Sequence, residues 1–173
     1  MLNDLEIDEI LESMVITVDN REQPCPRYHK RVGQFKHSFE RTTLSYGDYS
    51  CRYTLPGGLE CDFAANVVIE RKMNLEELCM CFGTQRKRFI AEFERAKEKG
   101  CKIYLLVEKA TWKDLIEGHY DSKYNPAALF ASIIAWIPRY NMIPILCEWE
   151  VSGKIIEQIL VRELKEHLKK EGI

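Results

Sequence analysis

Val67-Val68-Ile69-Glu70-Arg71-Lys72 is an aliphatic run that ends in three charges. A strand built this way is costly unless the charges have work to do. Alternate side chains of a strand share a face. Glu70 and Lys72 therefore point one way, and Arg71 points the other. A carboxylate and an ammonium side by side at a strand end suit a site that holds a divalent metal and neutralises a phosphate.

The pattern on either side sets the architecture. Val15-Ile16-Thr17-Val18 reads as a buried first strand ending at Asp19, and Thr42 to Tyr46 as a second, stopped by Gly47-Asp48. Tyr49 to Leu55, the Pro56-Gly57-Gly58 turn and Leu59 to Phe63 read as a hairpin. Residues 75–82 and 85–99 have helical spacing, with Phe89, Ile90, Phe93 and Ala96 as the apolar stripe of the second. Ile103 to Val107 is a continuous apolar strand, as in a sheet covered on both faces. A short helix is expected over Trp112 to Glu117, and another opens at Pro126 and runs to Trp136 or Ile137. A strand over Ile143 to Cys147 and an amphipathic helix over 153–170 complete the chain. Strands first, then strand and helix in alternation, predict a three-layer α/β/α sandwich with a mixed central sheet. We expect one domain over 1–173, with 1–14 as an N-terminal helical extension.

Composition narrows the class. A chain of 173 residues with 46% hydrophobic content is enough for one real core. The formal net charge of -2 does not announce a nucleic-acid partner, which would have to be met by local patches. Residues 21–41 are the one segment with a basic bias: Arg21, Arg27, Lys30, Arg31, Lys36 and Arg41 stand against Glu22 and Glu40. Tyr28, Phe35 and Phe39 interleave with them, as on a surface that tracks phosphates. The same stretch reads equally as a solvated loop, and Pro24 and Pro26 argue against a regular element at its start. The seven cysteines have no disulfide or zinc spacing and are expected to be reduced thiols, mostly buried. The acidic first 14 residues do not resemble a leader, and no apolar stretch reaches the roughly 20 residues that span a bilayer. An intracellular, cytoplasmic location without membrane contact is the expectation, nucleoid-associated if the source is bacterial or phage.

Three strand ends in the first half finish in an acid: Asp19, Asp48 and Glu70. If the strands are neighbours, the carboxylates converge and repel unless a cation lies between them. Hard oxygen ligands favour Mg²⁺ or Mn²⁺. Lys72 would stand beside that ion, where it could stabilise charge on an attacked phosphate or help orient the nucleophilic water. Taken singly these signals are ordinary: Gly47-Asp48 is common turn chemistry, Glu76 and Glu77 suit the first turn of a helix, and Arg88 and Glu92 make an i,i+4 surface pair.

As an ordered set they are more specific. Val18-Asp19-Asn20-Arg21-Glu22, then Gly47-Asp48-Tyr49, then Ile69-Glu70-Arg71-Lys72 with Glu76 beyond, resembles the nuclease domain of XPF-type structure-specific DNA endonucleases, a branch of the restriction-endonuclease-like fold. Arg88-Phe89, the strand Leu105 to Glu108, and the helix from Pro126 followed by Ile143-Pro144-Ile145 fall in the family's order, so the similarity covers about residues 15–165. The resemblance implies a metal-dependent endonuclease that hydrolyses DNA phosphodiester bonds, at branched or flapped DNA in repair or recombination. It implies metal ligation by Asp48 and Glu70, with Asp19 and Glu22 as supporting acids and Lys72 as the catalytic lysine. Arg21, Arg71 and Arg88 would organise the site or contact phosphate. Two departures stand out. Glu76 occupies the family's last Asp position, and the paired helix-hairpin-helix modules of full-length relatives find no room before Ile173, which implies a stand-alone form. Trp136, Ile137 and the terminal helix are candidates for a homodimer face, or for ordinary core. A partner subunit supplying further DNA contacts is the alternative to a homodimer. The competing readings of function are a catalytically inactive DNA-binding or scaffold subunit of the same fold, and a restriction-type or general exonuclease.

Overall fold

A computed structural model describes residues 2–171. The chain runs α1 (Asp4–Glu12), β1 (Val15–Asp19), α2 (Pro26–Val32), β2 (Phe39–Thr42), β3 (Tyr49–Thr54), β4 (Glu60–Asp62), β5 (Val67–Lys72), α3 (Leu75–Phe82) and α4 (Arg86–Glu98). It continues through β6 (Lys102–Glu108), α5 (Trp112–Glu117), α6 (Pro126–Tyr140), β7 (Met142–Cys147), a single 3-10 turn (Trp149–Val151) and α7 (Ser152–Glu171). The sheet order is β2-β1-β3-β5-β6-β7, with β4 pairing β3 off this path. β1 and β2 are parallel, as are β5, β6 and β7, while β3 runs antiparallel to β1, β4 and β5. This is the expected mixed sheet.

Strand parity sorts the core into two layers. Val68, Leu105 and Val107 face α3, α4 and α6, where Leu78, Phe89, Phe93 and Trp136 pack. Ile69 and Leu106 face the opposite way, against Ile10 of α1, Tyr28 of α2, and Ile156 and Leu160 of α7. The alternation carries on past the apolar part of β5. Glu70 and Lys72 are thereby delivered to the α3/α4 side and Arg71 to the α2 side.

The two parts of the sheet meet at a narrow seam. Only Tyr49 and Ile69 are in register between β3 and β5. Three further hydrogen bonds reinforce the joint: Asp48 N–H to the Ile69 carbonyl (2.8 Å), Ser50 Oγ to the Val67 carbonyl (2.8 Å) and Arg71 N–H to Asp48 Oδ2 (2.7 Å). By contrast six residue pairs join β5 to β6.

Some expectations are corrected. The second strand is Phe39–Thr42 rather than Thr42 to Tyr46. Leu44 and Tyr46 are buried in the loop that follows, so their alternation mimics a strand. Asp48 consequently precedes β3 instead of ending a strand. Pro26 does not exclude a regular element: it takes the first position of α2, where its missing N–H costs nothing. α6 continues past Ile137, with Pro138 inside its last turn, and stops at Asn141 in the left-handed region (φ 50°). Trp136 is fully buried in the ring cluster with Phe82, Phe89 and Phe93, so it belongs to the core. All seven cysteines are free, and no helix among the described residues is long and apolar enough to cross a membrane.

Candidate active site at one edge of the sheet

β1, β5, β6 and β7 all end at the edge of the sheet where β3 begins, so Asp19, Asp48, Glu70, Lys72 and Glu108 gather there. The turn before β3 depends on glycine. Gly47 has φ +71°, and a Cβ there would lie 2.8 Å from Val68 Cβ. Nothing larger lets Asp48 come down onto β5.

A cavity of about 240 Å³ opens at this edge. Asp48, Glu70 and Lys72 line it, with Glu22 and Arg71 behind and Glu77, Arg88 and Glu92 contributed by α3 and α4. Lys72 Nζ is 2.6 Å from Glu70 Oε1 and 5.2 Å from the centre of the Phe89 ring. Burial, and then the adjacent Glu70 charge, pushes the Asp48 carboxyl well above the usual carboxylate range. Burial also raises Glu70, which Lys72 offsets only in part. Burial pulls the Lys72 ammonium down, but Glu70 more than compensates, so it is held protonated above the ordinary lysine range. The Cys81 thiol on the same wall is pushed up by burial to about 11.

Behind the floor lies a layer of buried charge that faces α2. Arg71 Nη2 donates to Glu22 Oε1 at 2.9 Å and Nη1 to Glu108 Oε2 at 3.2 Å. Arg31 of α2 reaches the same two acids, with Nη2 to Glu22 Oε2 at 2.9 Å and Nη1 to Glu108 Oε1 at 2.8 Å. The Tyr49 hydroxyl donates to Glu22 Oε2 at 2.6 Å and accepts from Arg31 Nε at 2.8 Å. Burial works to raise the Glu22 carboxyl, but Arg71, Tyr49 and Arg31 bring it below its ordinary value. Two carboxylates and two guanidiniums thus satisfy one another with hydrogen bonds, the condition under which buried charge is tolerated.

The residues singled out by sequence divide. Asp48, Glu70 and Lys72 come together on the floor. Glu22 is drawn into the buried layer, and Arg71 serves both sets, its N–H on Asp48 and its side chain on Glu22 and Glu108. Asp19 does not line the cavity. Its Oδ1 accepts from the N–H (2.8 Å) and Nε (2.6 Å) of Arg21 and its Oδ2 from Leu44 N–H (2.7 Å), so it braces the loop leading to Asp48. Arg21 and Arg88 reach the cavity mouth, where Glu92 stands 3.7 Å from Arg21 Nη1 and 3.6 Å from Arg88 Nε. Glu76 turns away and accepts from Asp121 N–H at 2.9 Å. Its neighbour Glu77 turns in, with Oε1 4.0 Å from Lys72 Nζ and Oε2 accepting from Met73 N–H. A shift of one position is about 100° of helix, enough to exchange which glutamate meets the cavity. Glu108 was not singled out at all. As the one charge ending an apolar strand, it carried the same signal as Glu70.

The basic stretch is also redistributed. Arg31 is buried, Arg41 donates to the Asn20 and Glu22 carbonyls, and His37 Nδ1 lies 2.9 Å from Glu157. Much of the charge that read as a phosphate-tracking surface is spent inside the protein.

Among the described residues no group of three or more His, Cys, Asp or Glu side chains is placed to hold a metal ion. The donor set on the floor is two carboxylates. That fits Mg²⁺ or Mn²⁺, which bind through one or two carboxylates with water and phosphate oxygens completing the shell.

The family model described as the ERCC4 domain matches residues 18–158. Among solved structures the chain is similar to XPF from Aeropyrum pernix, at 18% identity and a TM-score of 0.61, over 91% of this chain and 68% of that one. It is also similar to XPF from Aeropyrum pernix in complex with DNA, at 18% identity and a TM-score of 0.55, over 91% of this chain and 66% of that one. The chain therefore spans about two thirds of the length of these structures. At this identity the likeness is one of fold. A comparison with curated proteins gave no match.

Proposed function

This chain belongs to the ERCC4 domain family, and from that premise we propose that it is a divalent-metal-dependent endonuclease that hydrolyses DNA phosphodiester bonds, acting on branched or flapped DNA. The observation that carries the reading is the pairing of Asp48 and Glu70 against Lys72 on the floor of an open cavity. The XPF from Aeropyrum pernix in complex with DNA shares the fold, which supports DNA as the partner here.

In this reading Asp48 and Glu70 are the residues that would hold Mg²⁺ or Mn²⁺. The ion, when bound, supplies an acidified water and neutralises phosphate charge. Lys72 Nζ, 2.6 Å from Glu70 Oε1, stands on the floor where it can serve as a cation and hydrogen-bond donor to a phosphate oxygen. Arg71 fixes Asp48 through its main-chain N–H, so the carboxylate is aimed before substrate arrives. Glu77 lies on the far side of Lys72 and limits where the ammonium can swing. Arg21 and Arg88 at the mouth offer guanidinium forks to the phosphates that flank the cut.

The test is a substrate panel of linear, nicked, flap and four-way DNA, each with Mg²⁺, with Mn²⁺ and with EDTA. Cleavage that needs the metal and is lost in both Asp48→Asn and Lys72→Ala is the expected result. Robust cutting by either variant would remove these residues from the chemistry.

A second reading has its own observation. Lys72 already pairs with Glu70 at 2.6 Å, a self-satisfied arrangement that a DNA-binding or scaffold subunit of the same fold could keep without activity. Titration calorimetry separates the two. Heat of Mn²⁺ binding that disappears in Asp48→Asn supports the enzyme, and no binding at millimolar metal supports the scaffold.

A further inference from the structure

We propose that Arg27, Lys30 and Trp149 form a second contact point for DNA phosphates, outside the cavity and on the same edge of the sheet. The inference rests on the nuclease reading and extends its substrate contact. Lys30 Nζ lies 4.6 Å from the centre of the Trp149 ring, and the Arg27 guanidinium 5.4 Å from it. The two cations are one turn apart on α2, so a single half-buried indole serves both. None of the ion pairs among the described residues involves Arg27 or Lys30. They differ in this from Arg31, Arg52 and Arg71, which are committed to carboxylates. An aromatic platform under a cation lowers the entropy lost when that cation meets an anion, and leaves its charge in place.

Position gives the patch its meaning. Lys72, Val107 and Leu146 are in register across β5, β6 and β7. Two strand spacings put Leu146 about 10 Å from Lys72 along the edge. Trp149 follows three residues later, and Arg31, on the same helix as Lys30, reaches back to Glu108 at the end of β6. α2 packs on the sheet face opposite Glu70 and Lys72, so a strand running from the cavity to the patch passes over the sheet edge and covers more than the roughly three steps, at about 3.4 Å each, that the Lys72–Leu146 spacing alone would take. Glu148 and Glu150, both exposed, flank the indole. The field of the patch is therefore modest, and it extends the grip of the cavity without standing alone.

The test measures binding of a fluorescent flap DNA by anisotropy over a salt series, in the uncut Asp48→Asn background. Adding Arg27→Gln and Lys30→Gln is expected to lower the magnitude of the salt slope by about 1.8, two phosphate contacts' worth. Between about 50 and 200 mM salt the Asp48→Asn protein then loses about tenfold more affinity than the triple variant. Arg27→Lys with Lys30→Arg restores the slope. Trp149→Ala weakens binding by about threefold while Trp149→Phe does not. An unchanged slope and affinity in the glutamine variant, with its melting temperature intact, overturns the inference. Cleavage by the wild-type protein is scored separately. Absence of cutting on every substrate overturns the nuclease reading, whereas intact cutting with an unchanged slope overturns the second contact alone.

Discussion

The main-chain N–H of Arg71 donates to Asp48 Oδ2 over 2.7 Å, across the boundary between β5 and the turn before β3. Asp48 is therefore aimed by the backbone of the same triplet that supplies Glu70 and Lys72. Arg71 thus serves the floor through its backbone and the buried layer behind it through its side chain.

Asp48→Asn keeps that hydrogen bond and removes one of two repelling charges. The folded Asp48 carboxyl lies above its unfolded value, so its contribution to stability is present below the ordinary carboxylate range and lost as pH rises through the elevated folded value. At neutral pH and without metal, the variant is expected to melt roughly 2–4 °C above wild type, the effect of about 1 kcal/mol in a domain of this size. The gap closes as pH falls. Melting curves with EDTA across pH check both points; a variant less stable than wild type at neutral pH contradicts the charge argument.

Glu77, not Glu76, is expected to matter for cleavage. Glu77→Gln releases the far side of Lys72 and should lower kcat/KM by about 10- to 100-fold, the usual range for a group that orients a site residue. Glu76→Gln removes only a bond to Asp121 N–H and should stay within about twofold of wild type. Steady-state kinetics on the best substrate of the panel distinguish the two positions.

The layer of Glu22, Arg31, Arg71 and Glu108 makes a pH prediction of opposite sign. Glu22 is held below its ordinary value, so its stabilisation is complete above the unfolded glutamate pKa and is lost as pH falls through the depressed folded one. Glu22→Gln should be less stable than wild type at about pH 7, with the difference shrinking toward about pH 3. Glu108→Ala leaves two guanidiniums to share one carboxylate and should cost about 3–5 kcal/mol in urea unfolding.

Gly47→Ala tests the turn. Both the positive φ and the 2.8 Å approach of a Cβ to Val68 oppose the substitution. A loss of about 1–3 kcal/mol is expected, along with weaker metal binding, because Asp48 no longer descends onto β5. Full stability with full activity would show that the turn has slack.

Parity made part of the site legible. Once Val67 to Lys72 is a strand, Glu70 and Lys72 must share a face, and the structure puts their charges 2.6 Å apart. The turn of Gly47 and Asp48 was legible as a motif, although not as the start of β3. What sequence could not supply was partners across the fold. Arg31 looked like one cation in a basic loop, because nothing local says that α2 lies over the end of β6 and brings it to Glu108. Asp19 looked equivalent to Asp48, because both follow buried strand residues. The difference lies in Leu44 N–H and Arg21, which saturate one and leave the other open. The choice between Glu76 and Glu77 depends on helix phase, which a boundary uncertain by one residue leaves open.

The seam between β3 and β5 has a mechanical consequence. Asp48 enters the sheet with β3, while Glu70 and Lys72 come from β5; within the sheet one registered pair and a few hydrogen bonds join the two, and the Glu22–Arg71 pair and the shared apolar layer under α1 and α7 add to them. Whatever bridges Asp48 and Glu70 therefore works as a rivet across the joint. Opening of the joint separates the two carboxylates, and an occupied floor resists that opening. A bridge between Asp48 and Glu70 would thus favour the closed sheet as any ligand of the native state does.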